Sequence, residues 1–216
     1  MRWLVWRFSG GRRGLGCRLM PLIPLIPVVA LLAFGVTPAA AHEIWPGVPG
    51  VVSMVLHPFL APEMVLVMLG LGLLAGADER PATVWLSAAM GAVGVAIGIA
   101  AQVPLLAFPG LWWWPMIVAS GIGLLVASGL RIGVMVTLVV AMLAAVTVGL
   151  GMPRERPHLS GAIEAWAGVT TALGIAMAVV AWPRAMGRHP VLRIAARVAG
   201  AWIGAIGCLG LAAAMR

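Results

Sequence analysis

His57-Pro58-Phe59-Leu60-Ala61-Pro62-Glu63-Met64 runs straight into the apolar stretch VLVMLGLGLLAG at residues 65–76. With the apolar residues from Gly50 onward, this reads as a membrane span, since roughly 20 such residues cross the hydrocarbon of a bilayer. A histidine and a carboxylate at the mouth of that span are not there to fill lipid. Ionisable groups inside a span are costly and usually serve a function.

The remainder of the chain agrees with a membrane setting. Apolar residues make up 62%, charged residues only 9%, and the mean hydropathy is +1.09. A soluble domain has about a quarter of its residues charged. The fold class expected is therefore all-α, a polytopic membrane helix bundle. About six apolar segments, each near the length of a span, lie at 50–76, 82–101, 112–130, 132–151, 161–182 and 191–214. Polar residues or prolines separate them: Asp78-Glu79-Arg80-Pro81, Gln102 to Pro109, Arg131, Pro153 to Pro157, and Pro183 to Pro190. The single-arginine break at Arg131 implies a tight hairpin.

Residues 1–41 read as a cleavable signal peptide. Arg2, Arg7, Arg12, Arg13 and Arg18 precede an apolar run at 19–36, and Ala39-Ala40-Ala41 offers a small-residue cleavage site before His42. Pro21, Pro24 and Pro27 make that run a poor retained helix. Residues 42–216 then form the transmembrane domain.

Charge excludes a nucleic-acid role. The net charge is +8, but much of it sits in the targeting segment. Beyond Ala41 there are nine arginines against six acids, and no lysine anywhere. Ten tryptophans without a tyrosine suit interfacial anchoring better than base stacking. Cys17 and Cys208 are the two cysteines, so neither a disulfide framework nor a CxxC metal motif is available. No nucleophile–base pair, phosphate-binding loop or dinucleotide fingerprint is present, and no enzymatic activity or permanently bound cofactor is expected.

Arginine placement orients the bundle. With the mature N-terminus outside, Arg80, Arg131, Arg184 and Arg188 fall on inner loops, and Arg193 and Arg197 open the last span. Arg154, Arg156 and Arg216 fall outside. This agrees with the positive-inside rule. Trp112-Trp113-Trp114 then lies at the outer interface as part of an aromatic belt. Gly91, Gly94 and Gly98 share one helical face, as do Gly200, Gly204 and Gly207, a spacing that lets helices approach closely.

An alanine-ended signal, a mature His42-Glu43 start, His57-Pro58-Phe59 entering the first span, and the run from Met68 to Gly76 together resemble the HupE/UreJ family of bacterial membrane proteins. Arg197-Val198-Ala199-Gly200 opening the last span fits as well. The resemblance implies a nickel, sometimes cobalt, permease associated with hydrogenase and urease gene clusters. It also implies a multi-pass protein of the bacterial inner membrane with its mature N-terminus in the periplasm. The family's first-span pattern is His, five residues, then Asp-His. His57 matches the first histidine, Glu63 stands at the aspartate and Met64 at the second histidine; Met68 and Gly72 match the residues downstream. A second histidine-rich block implied for a middle span is absent from the corresponding residues 144–153, AAVTVGLGMP, and a Leu-His pair is absent around Ala172-Leu173.

A permease must strip water from an ion and offer ligands that let go again. Nickel accepts imidazole nitrogen and carboxylate oxygen, while thioether sulfur suits Cu(I). The candidate metal ligands are His57, Glu63, Met64, Met68 and Glu164, with Ni2+ or Co2+ as the cargo by resemblance and Cu+ as an alternative that the methionines would suit. On an unbroken helix His57, Met64 and Met68 form one stripe and Glu63 points about 120° away. A break between Pro58 and Pro62 could swing Glu63 toward the same cavity, as broken helices do in transporters. Glu164 either completes the site or caps its own helix N-terminus. His42 and Glu43 at the new terminus, and His158 and His189 in loops, are weaker candidates. Against the permease stands a non-transporting accessory protein that supports metalloenzyme assembly, which explains the missing histidines. The expected partners are the metal ion, the lipid bilayer, and either metalloenzyme maturation proteins or further copies of the chain.

Overall fold

The computed structural model describes residues 50–78, 80–101, 113–130, 132–152, 159–186 and 190–215. The signal segment 1–41, His42, Glu43, Arg131, Arg154, Arg156, His158, Arg188 and His189 lie outside the described residues.

All described elements are helical: α1 Gly50–Leu60, α2 Pro62–Ala75, a 3-10 turn Gly76–Asp78, α3 Pro81–Ala101, α4 Trp114–Ser128, α5 Val134–Leu150, α6 Leu159–Met186 and α7 Pro190–Ala214. Among the described residues, three helices are long and apolar enough to cross a membrane: α3, α6 over Gly161–Ala181, and α7. The α1–α2 pair qualifies as a fourth, broken span, and α4 and α5 are shorter apolar helices.

Residues 50–76, read as one span with a break between Pro58 and Pro62, are two helices meeting at 91° on either side of Ala61. The cause is local. Neither Pro58 nor Pro62 has an N–H, so the helix carbonyls of Met54 and Pro58 lose their usual donors. Ala61 precedes a proline, which pushes it out of helical space, and its backbone is extended at φ −98° and ψ 104°. Pro62 then starts α2 at a position where its missing N–H costs nothing. The Ala61 carbonyl accepts from the amides of Met64 and Val65 at 3.0 and 3.1 Å.

The bundle has an apolar core and a largely apolar surface as well. Trp85, Leu86, Leu124, Met135, Ile194 and Trp202 lie exposed. Ser53, His57, Ser87, Ser120, Thr137 and Thr147 are buried. Large apolar side chains on the surface, with the few polar ones in these helices kept inside, suit a lipid solvent.

Helix packing rests on glycine. Helices α3 and α5 lie side by side. A Cβ on Gly94 would strike the Met142 carbonyl, and one on Gly98 the Val146 carbonyl. Rising together in number, the two contacts make the helices parallel. Helices α4 and α7 pair in the opposite sense, with Gly207 against Ser120 and Met116, and Gly200 against Val126 and Ala127. Both glycine faces read from the sequence are therefore helix contacts. Arg197 ties the second pair at its end. Its Nε donates to the Ala127 carbonyl at 3.0 Å and an Nη to the Ser128 carbonyl at 3.4 Å, satisfying carbonyls that end α4. The chain leaves α4 through Gly129, left-handed at φ 67°, a conformation glycine adopts without penalty.

The 28-residue α6 packs on α1, α2 and α3. Gly168 admits the α1 backbone at Met54 and Val55, Gly72 of α2 meets Met177 and Val180, and Leu173 reaches Gly91 of α3.

Candidate functional site

The α1–α2 break sets two helix ends against each other. His57 lies in the last turn of α1 and is buried at 7% exposure. Glu63 lies in the first turn of α2 and is half-buried. The end of α1 presents carbonyl oxygens with partial negative charge, and the start of α2 presents amides with partial positive charge. An imidazole beside the first and a carboxylate beside the second are both favourably placed. Broken helices with this arrangement hold ions in some membrane transporters.

Met64 and Met68 sit one turn apart on α2, buried at 3% and 0%. The Met64 methyl occupies the space that a Cβ on Gly151 would fill. Gly151 belongs to residues 144–153, the stretch where resemblance implies a histidine block and this chain has none. Met64 therefore reaches across from the first motif to the second, and the close approach requires glycine there.

Glu164 is half-buried on α6. It is the sixth residue of that helix, beyond a first turn that carries no acid. Glu164 stands one turn before Gly168, and His57 one turn after Met54. Since Gly168 packs on Met54, each of the two lies one turn from the α1–α6 contact, on the face that forms it.

The structure thus brings together the helices that carry all five candidate ligands: α1, α2 and α6 pack on one another. Among the described residues, no three His, Cys, Asp or Glu side chains gather in a group that could hold a metal ion. Cys208 is a free, exposed thiol. Trp113 and Trp114 stack with ring centroids 5.7 Å apart.

Several residues of this region were not singled out by sequence. Gly151 and Gly168 act only through what they allow another helix to do. Ser87 is buried at 0% exposure with its hydroxyl making no hydrogen bond. Its one sequence signal is spacing, four residues after Thr83 and four before Gly91.

No curated protein and no solved structure matches the chain. A family model described as HupE / UreJ protein matches residues 29–210. That match spans most of the 216 residues, including the broken helix, the residue 144–153 stretch and the Arg197 cap, and the chain belongs to the HupE/UreJ family.

Proposed function

We propose that this protein is a transition-metal permease or facilitator of the bacterial inner membrane, with its mature N-terminus periplasmic and its signal peptide removed. The observation that carries the reading is the 91° break with buried His57 on one arm and buried Met64 and Met68 on the other. Imidazole, thioether and the Glu63 carboxylate are ligands of graded softness. Glu63 also offsets a dication in a low-dielectric setting, where an uncompensated charge is expensive. Glu164, on the α6 face that meets α1, is a further ligand. The family favours nickel or cobalt; Met64 in place of a histidine favours Cu(I).

The test is the metal content of cells expressing the protein, with nickel, cobalt and copper supplied separately. Wild type should change cell metal relative to an empty vector. His57→Ala and Glu63→Gln should each return it to the vector level with membrane abundance unchanged, and Met64→His should shift preference toward nickel. Full activity in both the His57 and Glu63 variants would make the motif structural and the assignment wrong.

A second reading has its own support. The absence of any three-member His, Cys, Asp or Glu group among the described residues suits an accessory protein that docks metalloenzyme maturation factors, or another copy of itself, without moving ions. A wild type that alters none of the three metals in either direction would favour it.

A further inference from the structure

Positive charge gathers where α7 begins and α4 ends, and no acid answers it. Arg193 and Arg197 are the fourth and eighth residues of α7, one turn apart on one face, and both are exposed. Arg197 lies on the end of α4, donating from Nε to the Ala127 carbonyl at 3.0 Å and from an Nη to the Ser128 carbonyl at 3.4 Å. A guanidinium has five N–H groups, so three remain for another acceptor. Arg193 stands in the first turn of α7, which holds no acid and where the helix dipole disfavours a cation. Like charges one turn apart add to that cost. Among the described residues the ion pair formed is Arg80 with Asp78, and neither α7 arginine meets a carboxylate.

The surface beside them is apolar. Val191, Ile194, Val198 and Trp202 lie exposed on α7. Beyond Arg197 the exposed small residues Ala201, Ala205 and Cys208 continue along the helix. Leu124 of α4, also exposed, borders this strip, since it packs on Gly204. The seam between α4 and α7 thus carries a cation at one end and a low apolar strip along the rest. Length sets its depth. At 1.5 Å per residue the 25 residues of α7 reach about 37 Å, against roughly 30 Å of hydrocarbon. The charges lie in the first turns of α7 and its last turns are apolar. A surplus of about 7 Å at the charged end places Arg193 among headgroups and Arg197 just beneath, within snorkelling reach of them.

We propose that Arg193 and Arg197 bind the phosphate of an anionic phospholipid, whose acyl chain lies along the α4–α7 seam over Ala201, Ala205 and Leu124. Charge complementarity selects the headgroup. Guanidinium groups match phosphate oxygens, and basic sites between membrane helices take acidic headgroups. A zwitterionic lipid offers the phosphate too, but brings its own cation, which two arginines repel. The adjoining apolar strip selects the source, because a free phosphate gains nothing from it. The bound lipid would brace α4 against α7 at the end where Arg197 already ties them. None of this depends on whether the protein moves metal.

The experiment is native mass spectrometry of the purified protein in detergent, titrated with phosphatidylglycerol or phosphatidylcholine. Wild type should take up its first phosphatidylglycerol about ten-fold more tightly than phosphatidylcholine, as two basic residues beside an anionic headgroup require. Arg193→Gln and Arg197→Gln should each weaken phosphatidylglycerol uptake about five-fold, the worth of one such residue, and leave phosphatidylcholine unchanged. Arg197→Lys, which keeps the charge, should lose less than Arg197→Gln. If Arg197→Gln does not accumulate, Arg193→Gln carries the test, since it leaves the bonds to Ala127 and Ser128 in place. Equal uptake of the two lipids by wild type overturns the site. So does an equal loss in Arg156→Gln, read from the sequence on the opposite side, because the attraction would then be diffuse. Displacement of the lipid by millimolar inorganic phosphate would make the occupant a soluble anion and overturn the lipid.

Discussion

At the scale of the residue, the decisive chemistry is often what a side chain lacks. At Gly94 a Cβ would collide with a backbone carbonyl of α5, whereas at Gly174 it would meet nothing within 4 Å. The two positions should therefore respond in opposite directions. Gly94→Ala forces helix backbones apart and should cost about 1–3 kcal/mol, the range for overpacking a tight interior. Gly174→Ala adds helix propensity, up to about 1 kcal/mol. Thermal melting of the purified protein in detergent should drop for the first and hold or rise for the second. Equal shifts would contradict the register of α3 on α5. The glycine spacing on α3 and α7 was legible in the sequence because it repeats on a helical face. Gly151 and Gly168 were not, because each is shaped by a side chain or backbone more than 80 residues away.

At the scale of the element, the α1–α2 break carries the candidate site. Proline chemistry made a break foreseeable, but its angle depends on what each arm packs against. Pro62→Ala restores an N–H that can bond the Pro58 carbonyl and removes the steric pressure on Ala61. The arms should then move toward one straight helix. Spin labels on Val52→Cys and Ala77→Cys should lie about 26 Å apart in the bent form and roughly 37 Å apart in the straight one, at 1.5 Å per helical residue. The native protein should give the short distance and Pro62→Ala a population at the long one, with metal accumulation reduced in proportion. Accumulation unchanged at the long distance would show that the bend does not build the site.

At the scale of the whole molecule, the apolar surface suits a bilayer around the bundle, and the arginine asymmetry read from the sequence predicts its direction. Reporter fusions after Arg80 and after Arg188 should report cytoplasm, and one after Arg156 the periplasm. Mass spectrometry of the purified protein should find His42 as its first residue. A cytoplasmic report at Arg156 would mean that α4 and α5 do not form the hairpin assigned to them, and an intact 1–41 segment would place the N-terminus differently.

Composition alone determined the solvent. With 62% apolar and 9% charged residues, no arrangement could cover this chain with water-facing groups, so the all-α bundle in lipid followed directly. Local rules determined more: Pro62 opened α2, Gly129 closed α4, and small residues marked the contacting faces. Which faces those small residues meet is a long-range matter, and only the tertiary structure paired α3 with α5 and α4 with α7. The same holds for the candidate site. His57, Glu63, Met64 and Met68 are near neighbours in sequence and could be read there. Glu164 could be named as an acid in a span, but its place beside the α1–α6 contact depended on what α6 crosses. Ser87 was silent, because a serine in an apolar helix is unremarkable until the fold buries its hydroxyl with nothing to bond.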